Sequence, residues 1–154
     1  NGIYFDRKNE EIMYSRYAIY TLNNWLEVRR PTQGEEYRVY DEPEYSIEHI
    51  IEKSLGNEPE AYQFKIGNLV VLEKVINNRL RGECDLSKKF QDYQNSSYQQ
   101  IKEFLNKEHR NFNDRYRSQN DIEWEIDNFS EQAVYSRGRY LAICFYEKVI
   151  DLLT

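Results

Sequence analysis

The chain has few of the residues that build cross-linked or membrane-embedded proteins. Its two cysteines, Cys84 and Cys144, lie far apart and outside any Cys-x-x-Cys pair, so neither a disulfide framework nor a structural zinc site is indicated. Both thiols are expected to be reduced, with Cys144 in the core. No apolar run approaches the roughly 20 residues that a membrane helix needs. The charged start NGIYFDRKNEE also lacks the apolar stretch of a signal peptide. A cytoplasmic location without membrane partners is the expectation that follows. There is no internal repeat or low-complexity tract. An Asn at position 1 in place of Met is expected of a chain that was cut from a longer protein or has lost its natural start.

What is present suits one compact domain. The 154 residues are enough to bury a core but give no reason to split the chain, so residues 1–154 read as a single folding unit. With 40% hydrophobic residues, 31% charged residues and 14 tyrosines, the composition is too aromatic and too patterned for a disordered segment. Ile12, Ile19 and Leu26 recur at seven-residue spacing with Leu22 between them, which predicts a packing helix over 10–28. RRPTQGEEYRVYDEPEY holds two of the three prolines and predicts a loop, with a short extended piece at Tyr37 to Tyr40. Strands are predicted at Tyr45 to Ile50 and Leu69 to Leu72, separated by an irregular loop over Ile51 to Gln63. A helix from Glu73 to Arg81 should then stop at Gly82.

The second half reads as helical, over 87–153. Short helices are predicted at Ser87 to Tyr93 and Ser97 to Lys107, and a polar loop or weak helix at Asn111 to Asn120. Val134, Leu141, Phe145, Val149 and Leu152 recur at helical spacing behind a capping box of Asn128 and Glu131, predicting a long closing helix. The fold class is therefore α+β, a mostly helical domain around a small strand-strand-helix core at about 45–82. Tyr14, Tyr17, Tyr20 and Tyr135 read as core and interface aromatics rather than base-stacking groups.

A net charge of −6 opposes nucleic-acid binding, which draws most of its affinity from Lys and Arg. The distribution is more informative than the sum. Lys74, Arg79, Arg81, Lys88 and Lys89 follow the second strand, with Arg137 and Arg139 later, while acids collect from Glu35 to Glu60. Such a basic cluster alone reads as a solvated face; it gains weight from the motif beside it.

That motif is Glu48-His49, then Gly67-Asn68-Leu69, then Asn77 nine residues after Asn68. Phosphodiester hydrolysis needs an activated water and positive charge on the developing phosphate. His49 can serve as general base, because an ordinary imidazole is largely neutral at physiological pH. Glu48 and Asn77 offer hard oxygen donors to Mg²⁺ or Mn²⁺. Asn68 reads as the residue that shapes the loop behind His49. Neighbours on a regular strand face opposite ways, so Glu48 and His49 share a site only where the strand ends or bulges. Glu73, on the helix face of Asn77, and Glu52 are the competing carboxylates. His109, in NKEHRNF, has no such company and reads as a surface residue.

The runs SIEHII and IGNLVVLEKVINNRL, with Val134, Arg137 and Leu141, resemble the C-terminal nuclease domain of GmrSD-like type IV restriction enzymes, an HNH-related group. SRYAIYTLNNWL and Trp124 extend the likeness over most of the chain. The resemblance implies a ββα-metal core and a metal-dependent DNA endonuclease, nicking one strand at a time in defence against foreign or modified DNA. It assigns the base to His49, a supporting catalytic role to Asn68, and metal binding to Glu48 and Asn77. It also nominates Lys74, Arg79, Arg81 and Arg137 for substrate phosphate, Arg137 alternatively as a lock on the closing helix. A ParB-like nucleotide-hydrolysing sensor domain is the implied partner, in the same or another chain, and a dimer could cut both strands. The family's proline three positions after the histidine is Glu52 here. Two alternatives stay open: an inactive binding or regulatory module of the same fold, and an RNA-directed toxin nuclease.

Overall fold

A computed structural model of the chain describes residues 14–23, 45–56, 61–110 and 122–154. The extended piece at Tyr37 to Tyr40, the loop at 111–120 and the outer turns of the helix over 10–28 lie outside the described residues. Residues 14–23 are helical (α1), and Ile19 and Leu22 from the predicted stripe are buried there. Strand β1 (Tyr45–His49) is followed by β2 (Leu69–Glu73) and, without a break, by α2 (Lys74–Arg79). Then come α3 (Leu86–Tyr93), α4 (Gln99–Leu105) and the long α5 (Glu131–Leu153). The described residues thus form an α+β fold, with helices around one small antiparallel sheet.

The two strands pair from Tyr45 opposite Glu73 to His49 opposite Leu69, with the register continuous throughout. Four of the five β2 residues are buried, so a run of Leu and Val supplies the centre of the core. It packs with Phe90, Tyr93, Ile101, Phe104, Trp124 and Val134 from the surrounding elements. A two-stranded sheet leaves two open edges, and side chains close both. Val71 and Ile47 are opposite one another with their free backbone groups directed outwards. Gln100 accepts the amide hydrogen of Val71 at 2.7 Å, and Asn77 donates to the carbonyl of Ile47 at 3.2 Å.

Several expectations are adjusted at the ends of elements. Glu73 ends β2 and precedes α2 instead of belonging to its first turn, and Gly82 stands two residues past the C-cap Leu80 with φ of 76°. The capping box is not formed: Asn128 lies in a single 3-10 turn, and Ser130 is the residue before α5, without a side-chain cap bond. Of the four tyrosines read as core and interface groups, Tyr20 is buried, whereas Tyr14, Tyr17 and Tyr135 are exposed. Cys84 and Cys144 are both free thiols, the first exposed and the second partly buried. No helix among the described residues is long and apolar enough to cross a membrane.

Candidate functional site at the loop end of the hairpin

The site is built where β1 ends and β2 begins. Gly67 sits in a 3-10 turn (Ile66–Asn68) pressed against α5, where an added Cβ would lie 1.7 Å from the carbonyl oxygen of Val134. Only glycine permits this approach of two backbones. Asn68, fully buried, uses its whole amide on the chain leaving β1. Its Oδ1 accepts from Ile51 N at 2.8 Å, while Nδ2 donates to the carbonyls of Ile51 and Gln63, both at 2.8 Å. The backbone carbonyl of Asn68 also accepts from Ile50 N at 2.9 Å. Asn68 therefore extends the strand pairing past its last regular residue and fixes the loop behind His49, as the motif implied.

Arg137 completes this side. It is 2% exposed, and its Nη1 donates to the carbonyls of Gly67 and Leu69, each at 2.7 Å. Its guanidinium carbon stands 5.4 Å from the centroid of the Phe104 ring. Burial lowers its pKa to about 10, so the group remains charged at neutral pH. A side chain enclosed in this way cannot meet a phosphate from solvent; the lock on α5 is its role, and it leaves the set of phosphate candidates. Lys74, Arg79 and Arg81 stay exposed on α2 and the turn after it.

The β1 side is ionic. Because the pairing runs through His49 without a bulge, Glu48 and His49 direct their side chains to opposite faces, so the irregularity expected to bring the two into one site on the strand is absent. Glu48 is 6% exposed, and its Oε1 accepts from Lys89 Nζ at 2.7 Å and from the Tyr93 hydroxyl at 3.1 Å. Burial raises its pKa, opposed by Lys89. Burial together with the Glu48 carboxylate raises the pKa of Tyr93 well above its usual value, which keeps the phenol protonated. His49 is partly buried, edge-on to Phe64 with ring centroids 6.0 Å apart. Burial, then the nearby Lys53 charge, lowers its pKa to about 4, so the imidazole is neutral at physiological pH.

Asn77 lies at the outer edge of β1, donating through Nδ2 to Ser46 Oγ at 2.9 Å and to the carbonyl of Ile47. Ser46 shares a strand face with Glu48, so Asn77 and Glu48 belong to the same side of β1. Glu73 is committed elsewhere: it accepts from Ser96 Oγ at 2.7 Å and from Ser97 N at 2.8 Å, holding the entry to α4. Glu52 comes to 3.6 Å from Lys89 Nζ, beside the Glu48 pair. The carboxylate neighbouring Glu48 is therefore Glu52, while Glu73 serves the helix junction. His109 is exposed, as its sequence context implied.

Lys89 is the residue whose importance the sequence did not reveal. The core-facing positions of α3 are Leu86, Phe90 and Tyr93, and Lys89 falls on that same stripe. A lysine in an apolar stripe was the available signal; a basic run of Lys88-Lys89 disguised it as surface. Among the described residues, no group of three or more His, Cys, Asp or Glu side chains is placed to hold a metal ion. The oxygen donors of Glu48 and Asn77 form a different kind of set, one carboxylate and one amide. No family model, curated protein or solved structure matches this chain.

Proposed function

We propose that the chain is an HNH-type endonuclease domain that hydrolyses DNA phosphodiesters with a hard divalent cation, nicking one strand per site in defence against foreign or modified DNA. One observation carries this reading. An antiparallel β1–β2 pair runs directly into α2, with a neutral imidazole on the last residue of β1 and Asn77 of α2 bonded to that same strand. The strand-strand-helix order, and not any single residue, is what a one-metal phosphodiesterase core requires.

His49 is the general base. Its neutral state at physiological pH lets it accept a proton from the attacking water, and because its side chain leaves β1 on the face opposite Glu48, the substrate would have to pass around the strand end to meet both groups. Asn68 positions it by fixing Ile50 and Ile51, the next residues of the chain. Lys74, Arg79 and Arg81 supply the exposed positive charge for the phosphate backbone.

The metal donors fit in chemical kind. Glu48 and Asn77 offer oxygen atoms, the choice of Mg²⁺ and Mn²⁺, which retain several waters and need few protein ligands. Lys89 and Tyr93 both bond Oε1 of Glu48, so Oε2 is the atom offered to the cation. Asn77 turns Nδ2 to β1 and would bind through Oδ1. Such a cation, when bound, stabilises charge on the phosphate and leaving oxygen.

The purified protein with Mg²⁺ or Mn²⁺ should relax supercoiled plasmid. His49→Ala is expected to lower the rate by at least about a hundredfold, and Asn77→Ala to abolish detectable nicking. Undiminished nicking by His49→Ala rejects the assigned base. A second reading, an inactive regulatory module, draws support from the ionic occupation of Glu48 by Lys89. Absence of Mn²⁺ uptake together with no cleavage of any DNA favours that reading, and cleavage confined to RNA favours a toxin nuclease. The ParB-like sensor partner and a dimeric state are further parts of this proposal; copurification and sedimentation test them.

A further inference from the structure

The strongest unexplained feature is a fully buried lysine beside the proposed metal carboxylate. Lys89 is 0% exposed, and its ammonium faces oxygen on three sides. Glu48 Oε1 and the carbonyl of His49 each stand at 2.7 Å, and Glu52 Oε2 at 3.6 Å. An ammonium has three N–H donors and no acceptor; two of them are used in hydrogen bonds, and Glu52 faces the charge at ion-pair distance. Two carboxylates and a carbonyl are also the oxygen types that hard divalent cations select. Both carboxyl groups face the one ammonium at the end of β1.

We propose that Lys89 is a resident cation that competes with a divalent metal ion for Glu48, so that metal loading requires the lysine to yield part of its carboxylate contacts. The inference rests on the reading of Glu48 as the metal carboxylate. Its physical basis is the cost of placing a second cation near a buried ammonium. Unlike charges attract and like charges repel with little screening away from water, so Lys89 weakens metal binding at the carboxylate it touches. Lysine suits this role better than arginine, because its charge sits on a flexible stem and its donors can be reassigned singly. The contact with the His49 carbonyl gives the exchange a structural consequence: releasing Glu48 leaves Lys89 attached to the strand end that carries the base.

Removing the ammonium while keeping its length should therefore strengthen metal binding. Isothermal titration with Mn²⁺ is performed on the unmodified protein, Lys89→Met and the double variant Glu48→Gln/Lys89→Met. Lys89→Met is expected to bind roughly tenfold tighter or more than the unmodified protein, and the double variant to lose that gain. Equal or weaker binding by folded Lys89→Met, or no binding by either, overturns the proposal. Lys89→Met leaves two buried carboxylates without their counter-charge, so circular dichroism checks its fold. An independent measurement uses the unmodified protein: the NMR signal of the Lys89 ammonium should move progressively as Mg²⁺ is added. A signal unmoved through millimolar Mg²⁺ also overturns it. Plasmid cleavage without any affinity gain retains the nuclease reading and removes this proposal, while tighter Mn²⁺ binding without cleavage of DNA or RNA does the reverse.

Discussion

His49 and Leu69 are paired across the hairpin, yet the chain around each is secured by different forces. On the β2 side, Gly67, Asn68 and Leu69 are held by backbone contact with α5, by a fully bonded amide and by a guanidinium shared between two carbonyls. Every one of those partners is fixed in place by the fold. On the β1 side, Glu48, Lys89 and Glu52 form an ionic group whose members can exchange partners, and His49 contributes a ring contact and a neutral nitrogen pair. The difference separates support from chemistry: one strand supplies a rigid frame, and its partner carries the groups that can change charge or ligand.

The sharpest way to break the frame is Gly67→Ala. Its methyl would meet the Val134 carbonyl oxygen, carbonyl carbon and Gly138 N at 1.7, 2.7 and 2.8 Å, and all three are backbone atoms of α5. Relief would require the turn and the helix to separate, so a loss above about 4 kcal/mol is expected, at the severe end for an overpacked site. Urea denaturation checks this. Retention of near-normal stability would show that the β2 side is less rigidly determined than the contrast requires.

Arg137→Met tests the same side through charge instead of volume. The flexible side chain approximates the arginine stem but leaves the carbonyls of Gly67 and Leu69 without their shared donor. Two unsatisfied carbonyls are expected to cost on the order of 2–4 kcal/mol. If Arg137 instead bound substrate, the variant would keep its stability and show a weaker salt dependence of DNA binding. Chemical denaturation and binding at two salt concentrations separate these outcomes.

The two sides were unequally legible in the sequence for the same reason. Gly67, Asn68 and Leu69 announce themselves because their tasks, close approach, amide pairing and core filling, each demand a distinct residue type at a fixed position. The predicted strands were right to within one residue at Ile50 and Glu73, where alternation or apolar character continues while pairing stops or persists. The partners of Glu48 were not legible, because Lys89 lies 41 positions away and the Lys88-Lys89 run masked its place on the apolar stripe of α3. Arg137 offered two roles to a sequence reader, and only the packing of α5 against the turn decides between them. The capping box failed because Asn128 and Glu131 have the right spacing but Asn128 is used in a turn of its own.

The smallest expected effect lies on the β1 side and reads the charge state of His49. Burial, with Lys53 next in importance, lowers its folded pKa from 6.5 to about 4. Between those values the unfolded chain binds a proton that the folded chain refuses, so the contribution of His49 is fully present above pH 6.5 and is lost as pH falls through about 4. Buried carboxyls act in the opposite sense. Burial raises Glu103 to about 7 and raises Glu48, so their contributions are largest in acid and fade as pH rises through their folded values. Total stability mixes these slopes, and a variant is needed to isolate one of them. His49→Gln should change stability at neutral pH by no more than about 1 kcal/mol, as expected for a partly buried side chain outside the core. As pH falls below 6.5, the unmodified protein should lose stability relative to the variant, because Gln cannot take up the proton. Paired urea midpoints across this range measure the difference. Curves that stay parallel would mean that the imidazole is as free to ionise as in the unfolded chain, removing the burial assigned to it and weakening the contrast on the β1 side.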